Sequence, residues 1–170
     1  MNRFAWSLIF GVSLAARVDA AAGVPVQSFD VDVPAAPMAV RSEGRTLLAY
    51  EIHLTNFADE TFVLSEVGVR DAATGRALAT YAGDALAERV KLVGHASASR
   101  AVAPGQRAIV FVEIDLARGD AVGALAHAIS FARADGTTRT LTPAPMPLEV
   151  ADTPVLGPPL RAGPWVAVHD

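Results

Sequence analysis

Along most of this chain, apolar side chains recur at every second position. TLLAYEIHLTN (Thr46–Asn56) sets Leu48, Tyr50, Ile52 and Leu54 on one face and Glu51, His53 and Thr55 on the other. A period of two belongs to a strand with one buried face. RAIVFVEIDL (Arg107–Leu116) repeats the pattern with Ala108, Val110, Val112, Ile114 and Leu116, and Ile109 and Phe111 on its other face predict a strand covered on both sides at its start. In TFVLSEVGVRD (Thr61–Asp71), Phe62 and Leu64 share one parity while Val67 and Val69 share the other. One extra residue resets which way side chains face, so this predicts a bulge near Ser65–Glu66. RALATYAG (Arg76–Gly83) reads as a short strand, and ALAHAISFARADGTTRTLTP (Ala124–Pro143) as a hairpin turning at Asp135-Gly136. MPLEVA (Met146–Ala151) reads as a last strand. VQSFDVDV (Val26–Val33), with Pro25, Pro34 and Pro37 around it, reads as an edge strand.

The segments between these runs carry turn chemistry. NFADE (Asn56–Glu60), AATG (Ala72–Gly75) and VAPGQ (Val102–Gln106) each hold the Asn, Asp, Gly or Pro that a tight reversal needs. DALAERVKLVG (Asp84–Gly94) favours a helical turn or irregular crossover, with Asp84 as its cap. About seven or eight short strands at regular spacing predict an all-β fold, an antiparallel immunoglobulin-like β-sandwich; a small closed barrel is the competing architecture. Phe29, Tyr50, Phe62, Phe111 and Phe131 fall one per strand, as core aromatics would.

The ends add a processing signal and a tail. Arg3, then the apolar run Phe4–Ala16, then the small residues of RVDAAAG (Arg17–Gly23) have the layout of a secretory signal peptide. The run is shorter than the roughly 20 residues a spanning helix takes. The expected organisation is a signal peptide at 1–22, an extended segment at 23–34, a sandwich at 35–151 and a Pro/Gly-rich, linker-like tail at 152–170. Export to the periplasm or the exterior follows, with no membrane association once the signal is removed. The 170 residues are 52% hydrophobic and include no cysteine, which removes disulfides, thiolate nucleophiles and cysteine zinc sites. The net charge of −4, with scattered arginines and Lys91 the single lysine, offers no basic stripe for nucleic acid.

Candidate chemistry is sparse. His53, His95, His127 and His169 are too far apart in sequence for two to ligate a metal from one element. Glu51 and His53 share a strand face, and with His127 they form a weak polar cluster. His127 shares parity with Leu125, Ile129 and Phe131, which predicts a hydrogen-bonded, half-buried histidine instead. GHASAS (Gly94–Ser99) brings His95 near Ser97 and Ser99 without an orienting acid. Glu113 and Asp115, like Asp30 and Asp32, stand at i, i+2, about 7 Å apart on a strand, and read as solvent-facing pairs. No catalytic residue, metal ligand or cofactor is predicted. Trp165, with Leu160 and Arg161, lies past the last plausible strand; it either tucks back on the sandwich or docks on a partner, as exposed tryptophans do.

Four segments together carry a family resemblance: YEIHLTNF (Tyr50–Phe57), VLSEVGVRDAATGRAL (Val63–Leu78), APGQRAIVFVEIDL (Ala103–Leu116) and VLGPPLRAGPWVAVHD (Val155–Asp170). The chain resembles the N-terminal β-sandwich region of exported bacterial lysostaphin-type zinc metallopeptidases over roughly residues 35–170. Gly157–Trp165 matches the stretch that joins sandwich to peptidase in that family. The family's catalytic signature, a histidine and aspartate four apart and a later His-x-His, has no counterpart here, so no zinc ligand is carried over. The resemblance implies a non-catalytic accessory module of a cell-envelope protein, positioning or regulating a peptidase domain in cis or in trans. The alternative is a free-standing periplasmic binding or chaperone-like sandwich that takes a partner along an edge strand.

Overall fold

The computed structural model describes residues 28–42, 45–96, 99–117 and 120–149, with Gly163, Pro164 and Val166 beyond them. The expected signal peptide and the tail residues Leu160, Arg161 and Trp165 lie outside the described residues. Those described form β1 (Phe29–Asp32), β2 (Ala39–Ser42), β3 (Arg45–Asn56), β4 (Phe62–Asp71), β5 (Ala77–Ala82), α1 (Gly83–Ala87), β6 (Val90–Leu92), β7 (Ala101–Val102), β8 (Arg107–Leu116), β9 (Ala124–Ala132), β10 (Thr138–Leu141) and β11 (Met146–Pro147). They make two antiparallel sheets. One runs β1-β3-β8-β6, with β2 also on β3; the other runs β10-β9-β4-β5, with β7 on β4 and β11 on β9. The first order is A-B-E-D of the immunoglobulin constant type, and the second is G-F-C with one strand added beside C. The fold is therefore the all-β sandwich that the alternation predicts, and neither sheet closes into a barrel.

β1 pairs with the end of β3 (Phe29↔Asn56) and β2 with its start (Ala39↔Leu48), so the two are halves of one edge strand. Val33–Met38 interrupts it, where Pro34 and Pro37 supply no ladder donor. At the break the chain reaches the other sheet: Met38 bridges Glu149 in parallel, and the Glu149 N–H donates to the Pro37 carbonyl at 3.0 Å.

Between the sheets the alternating residues meet. The β4–β9 register shifts between Leu64 and Glu66, where the parity change predicts a bulge. That extra residue lets Phe62, Leu64, Val67 and Val69 all reach the core. Phe29 comes from the first sheet, and its ring meets Phe62 and Phe131 of the second edge-on at 5.2 and 5.1 Å. Phe62 and Phe131 lie 4.5 Å apart. The β9–β10 hairpin turns where Asp135-Gly136 predicts, with Gly136 at φ 80°, a conformation glycine adopts without a Cβ penalty.

Some expectations are corrected. Phe111 is 40% exposed rather than core, because it sits on the outer face of β8, opposite Glu51, where no further layer packs among the described residues. Ile109 is half-buried, so only part of a second covered face exists. The helical turn is present as α1, but Ala82 occupies its N-cap with no side-chain bond, so Asp84 does not cap it. The residues after it form β6, whose Val90 and Leu92 are buried beside exposed Lys91.

Strand direction sorts the connections. β3, β6 and β9 finish, and β1, β4 and β8 begin, at one end of the sandwich. That end carries the β3–β4, β6–β7, β7–β8 and β9–β10 connections. β11 pairs with the start of β9, at the opposite end.

Candidate functional site

The most buried ionisable pair lies between the sheets. Tyr50 projects inward from β3 and His127 inward from β9, 8% and 5% exposed. Tyr50 Oη and His127 Nε2 are 2.8 Å apart, and the rings meet edge-on at 5.8 Å. Burial pushes the Tyr50 phenol well up, with a smaller contribution from Tyr81, and pushes the His127 imidazole down. Both groups are therefore neutral near pH 7. β3 and β9 stand in the places of strands B and F, which a disulfide joins in antibody domains. In this cysteine-free chain a hydrogen bond between side chains spans that gap.

The weak cluster of Glu51, His53 and His127 is thereby split. Glu51 Oε2 and His53 Nε2 do meet at 2.9 Å, but on the outer face of the sheet. Consecutive strand residues point to opposite faces, so it is Tyr50 that meets His127.

This pair makes a prediction. Tyr50→Phe or His127→Leu alone leaves a buried polar atom unpaired, at about 1–3 kcal/mol each. The double variant removes both polar atoms and recovers most of that loss. The unfolded chain binds more protons than the folded one once pH drops below the ordinary imidazole value of about 6.5. Stability therefore falls from there toward the lowered folded-state value, and His127→Leu removes that part of the slope. Urea unfolding at several pH values reads all of this.

Other polar groups also hold structure. Tyr81 Oη donates to the Glu113 carbonyl at 2.6 Å and accepts from the Glu113 N–H at 3.2 Å, covering the edge of β8 past the short β6. The Arg89 guanidinium lies 4.6 Å from the centre of the Tyr81 ring. Asp71 accepts from Thr74 Oγ1 at 2.6 Å and the Ala73 N–H at 3.0 Å, which holds its carboxyl below the usual range. Glu60 accepts from the Ala134 N–H at 2.9 Å and Arg133 Nε at 2.8 Å, tying the β3–β4 and β9–β10 connections together; these bonds, the backbone one first, lower its carboxyl. Asp115 pairs with Arg45, while Asp30, Asp32 and Glu113 face solvent. Among the described residues, no group of three or more His, Asp and Glu stands close enough to hold a metal ion.

At the loop end a groove of about 760 Å³ opens between β6 and the β7–β8 turn, lined in part by Val93, His95, Ala101, Pro104 and Arg107. Val93 is 54% exposed. Arg107 Nε donates to Thr55 Oγ1 at 3.0 Å. Nearby, Phe57 is 64% exposed, next to Asn56, whose carbonyl accepts from the Gly105 N–H at 2.8 Å. Asn56 fixes this end. Its Nδ2 donates to the Glu60 and Val102 carbonyls at 2.8 and 2.9 Å, and its Oδ1 accepts from the Ala58 N–H at 2.9 Å. Residue spacing does not reveal this surface. Its signal is an apolar residue standing in turn sequence, Phe57 in NFADE and Val93 before GHASAS.

No family model and no curated protein matches the chain. Among solved structures, it is similar to a Northeast Structural Genomics Consortium target at 17% identity and a TM-score of 0.47, over 72% of this chain and 87% of that one. It is also similar to a Bordetella pertussis protein given the name ApaA, at 18% identity and a TM-score of 0.47, over 73% and 97%. The fold assignment rests on strand order and register, not on these likenesses.

Proposed function

We propose that this chain is a non-catalytic interaction module of an exported cell-envelope protein, a sandwich that docks a protein partner and positions or regulates a peptidase-type domain in cis or in trans. The observation that carries the reading is the use of the buried polar side chains. Asn56, Asp71 and His127 each spend their hydrogen-bonding atoms on turns, loops or the opposite sheet. The resemblance to the sandwich region of lysostaphin-type metallopeptidases supports the envelope setting. The loop-end groove favours the second reading, a free-standing periplasmic binding or chaperone-like sandwich. The two differ in the partner, not in what the sandwich does.

Photo-cross-linkers placed singly at Phe57, Val93, Thr80 and Asp30 in the full chain, expressed with its leader, test this. One discrete adduct in the envelope fraction, from one face, is the expected result. Zinc-dependent cleavage of peptide or peptidoglycan by the purified chain alone would contradict it.

A further inference from the structure

We infer that residues 33–38 and 142–149 form a two-part flap over the Tyr50–His127 pair, and that the flap opens as a local unit when the imidazole takes up a proton. The inference concerns the interior and is independent of what the sandwich docks. Three features carry it.

The first is a double interruption. On one side of the sandwich, β1 and β2 pair with residues 53–56 and 45–48 of β3, which leaves residues 49–52 without an edge partner among the described residues. On the same side, β10 and β11 pair with residues 129–132 and 124–125 of β9, which leaves residues 126–128 in the same condition. The Met38–Glu149 bridge shows that the two broken edges face each other. Tyr50 lies in the first gap and His127 in the second, so their hydrogen bond crosses the interior directly behind both breaks.

The second is a sparse closure. The segments that pass the breaks hold Pro34, Pro37, Pro143, Pro145 and Pro147, none of which has an N–H to give. Among the described residues, their backbone is tied down by the Glu149 N–H to the Pro37 carbonyl and the Leu148 N–H to the Gly123 carbonyl, both at 3.0 Å, and by the two-residue pairing of β11. Val33, Met146 and Leu148 pack against the core but are only half-buried. A segment with so few bonds and so little apolar cover to lose opens at a lower free energy than the sheets behind it.

The third is proton linkage. His127 Nε2 meets Tyr50 Oη, while Nδ1 has no hydrogen-bond partner among the described residues. A protonated ring carries an N–H on both nitrogens, so the closed form would bury a charged donor without an acceptor. The surrounding groups do not relieve this. Tyr81 of β5 spends its hydroxyl on the Glu113 backbone. Asp71, diagonal to His127 across the β4–β9 register, turns its carboxylate to Thr74 and the Ala73 N–H. β8 turns only apolar side chains inward, and Glu149, the titratable residue of the flap, is exposed. Burial accordingly holds the imidazole below its ordinary value in the closed form. The open form returns the ring to water, so it binds more protons below about pH 6.5, and acid favours opening.

The test is amide exchange of the purified chain at about pH 7 and about pH 5, read as protection factors so that the direct effect of pH on exchange drops out; ordinary carboxylates, near 4.3 or below, stay mostly ionised over this range. Protection at Leu148 and Glu149 is expected to fall by roughly tenfold at the lower pH, while the β3–β8 ladder keeps its own. In the Tyr50→Phe/His127→Leu double variant, those two amides should no longer respond to pH. Glu149→Pro removes the N–H that reaches Pro37. It should lower Leu148 protection at both pH values and move the His127 titration up toward the ordinary value, because the coupling is reciprocal. A loss of protection spread evenly over both sheets, no loss at Leu148 and Glu149, an equal loss in the double variant, or an unmoved His127 titration in Glu149→Pro would overturn the inference.

Discussion

Phe131→Ala is expected to destabilise the sandwich by about 3–5 kcal/mol. Phe131 is 2% exposed in β9 and touches both other rings of the aromatic cluster. One of those rings, Phe29, belongs to the opposite sheet, so truncation opens a void where the layers are stapled. The loss combines the transfer free energy of the ring with the cavity left by strands that cannot close in. Against a typical domain stability of about 5–15 kcal/mol, this removes a large share of the total. Urea unfolding should show a lower midpoint at an unchanged slope. Phe111→Ala removes the same ring from the outer face of β8 and should cost far less, nearer the roughly 0.5 kcal/mol of surface changes. Equal costs at the two positions would mean that the assignment of inner and outer faces is wrong.

Asn56→Ala should rank next. Asn56 is fully buried, and its side chain satisfies three backbone groups, two in the connection that follows it and one in β7. Alanine leaves the Val102 carbonyl and the Ala58 N–H buried without a partner, at about 1–3 kcal/mol each, so a loss on the order of 2–6 kcal/mol is expected. Asn56→Asp does not rescue it, because a carboxylate has no N–H to give the two carbonyls. The damage is local in kind: Asn56 pins the β3–β4 connection to β7, and its backbone holds the turn at Gly105 and Gln106. Faster amide exchange at Ala58, Gly105 and Gln106, beyond the global loss of stability, is the accompanying readout. Unaltered exchange at those amides would mean that the asparagine does not organise the groove end.

Much of the fold is legible because a half-buried strand writes its burial into every second residue. β3 and β8 read directly from that rule, and the bulge in β4 is visible as a change of parity from Leu64 to Val67. β2, β6 and β7 escape recognition as strands, since runs of two to four residues are too short to establish a period. The face assignment of Phe111 fails for a different reason: hydrophobicity alone does not reveal whether a second layer exists to cover it. The candidate site is less legible still. Parity indicates that His127 points inward with Leu125 and Ile129, yet its partner Tyr50 lies 77 residues away, and only the pairing of the sheets brings them together. Asn56 reads as turn material, and its bonds to Ala58 and Glu60 are indeed local; only the bond to the Val102 carbonyl, 46 residues away, depends on tertiary structure. The loop-end groove has the same origin: Val93 and Arg107 become neighbours through the β6–β8 pairing.

The most direct measurement is the NMR titration of the His127 ring in the folded protein, with and without added zinc. If the polar interior serves to join β3 to β9, the imidazole titrates below the ordinary histidine value, and zinc leaves its signals in place. Titration at or above that value, or a zinc-induced shift of the ring together with Tyr50, would mean that the pair performs chemistry rather than holding two sheets together.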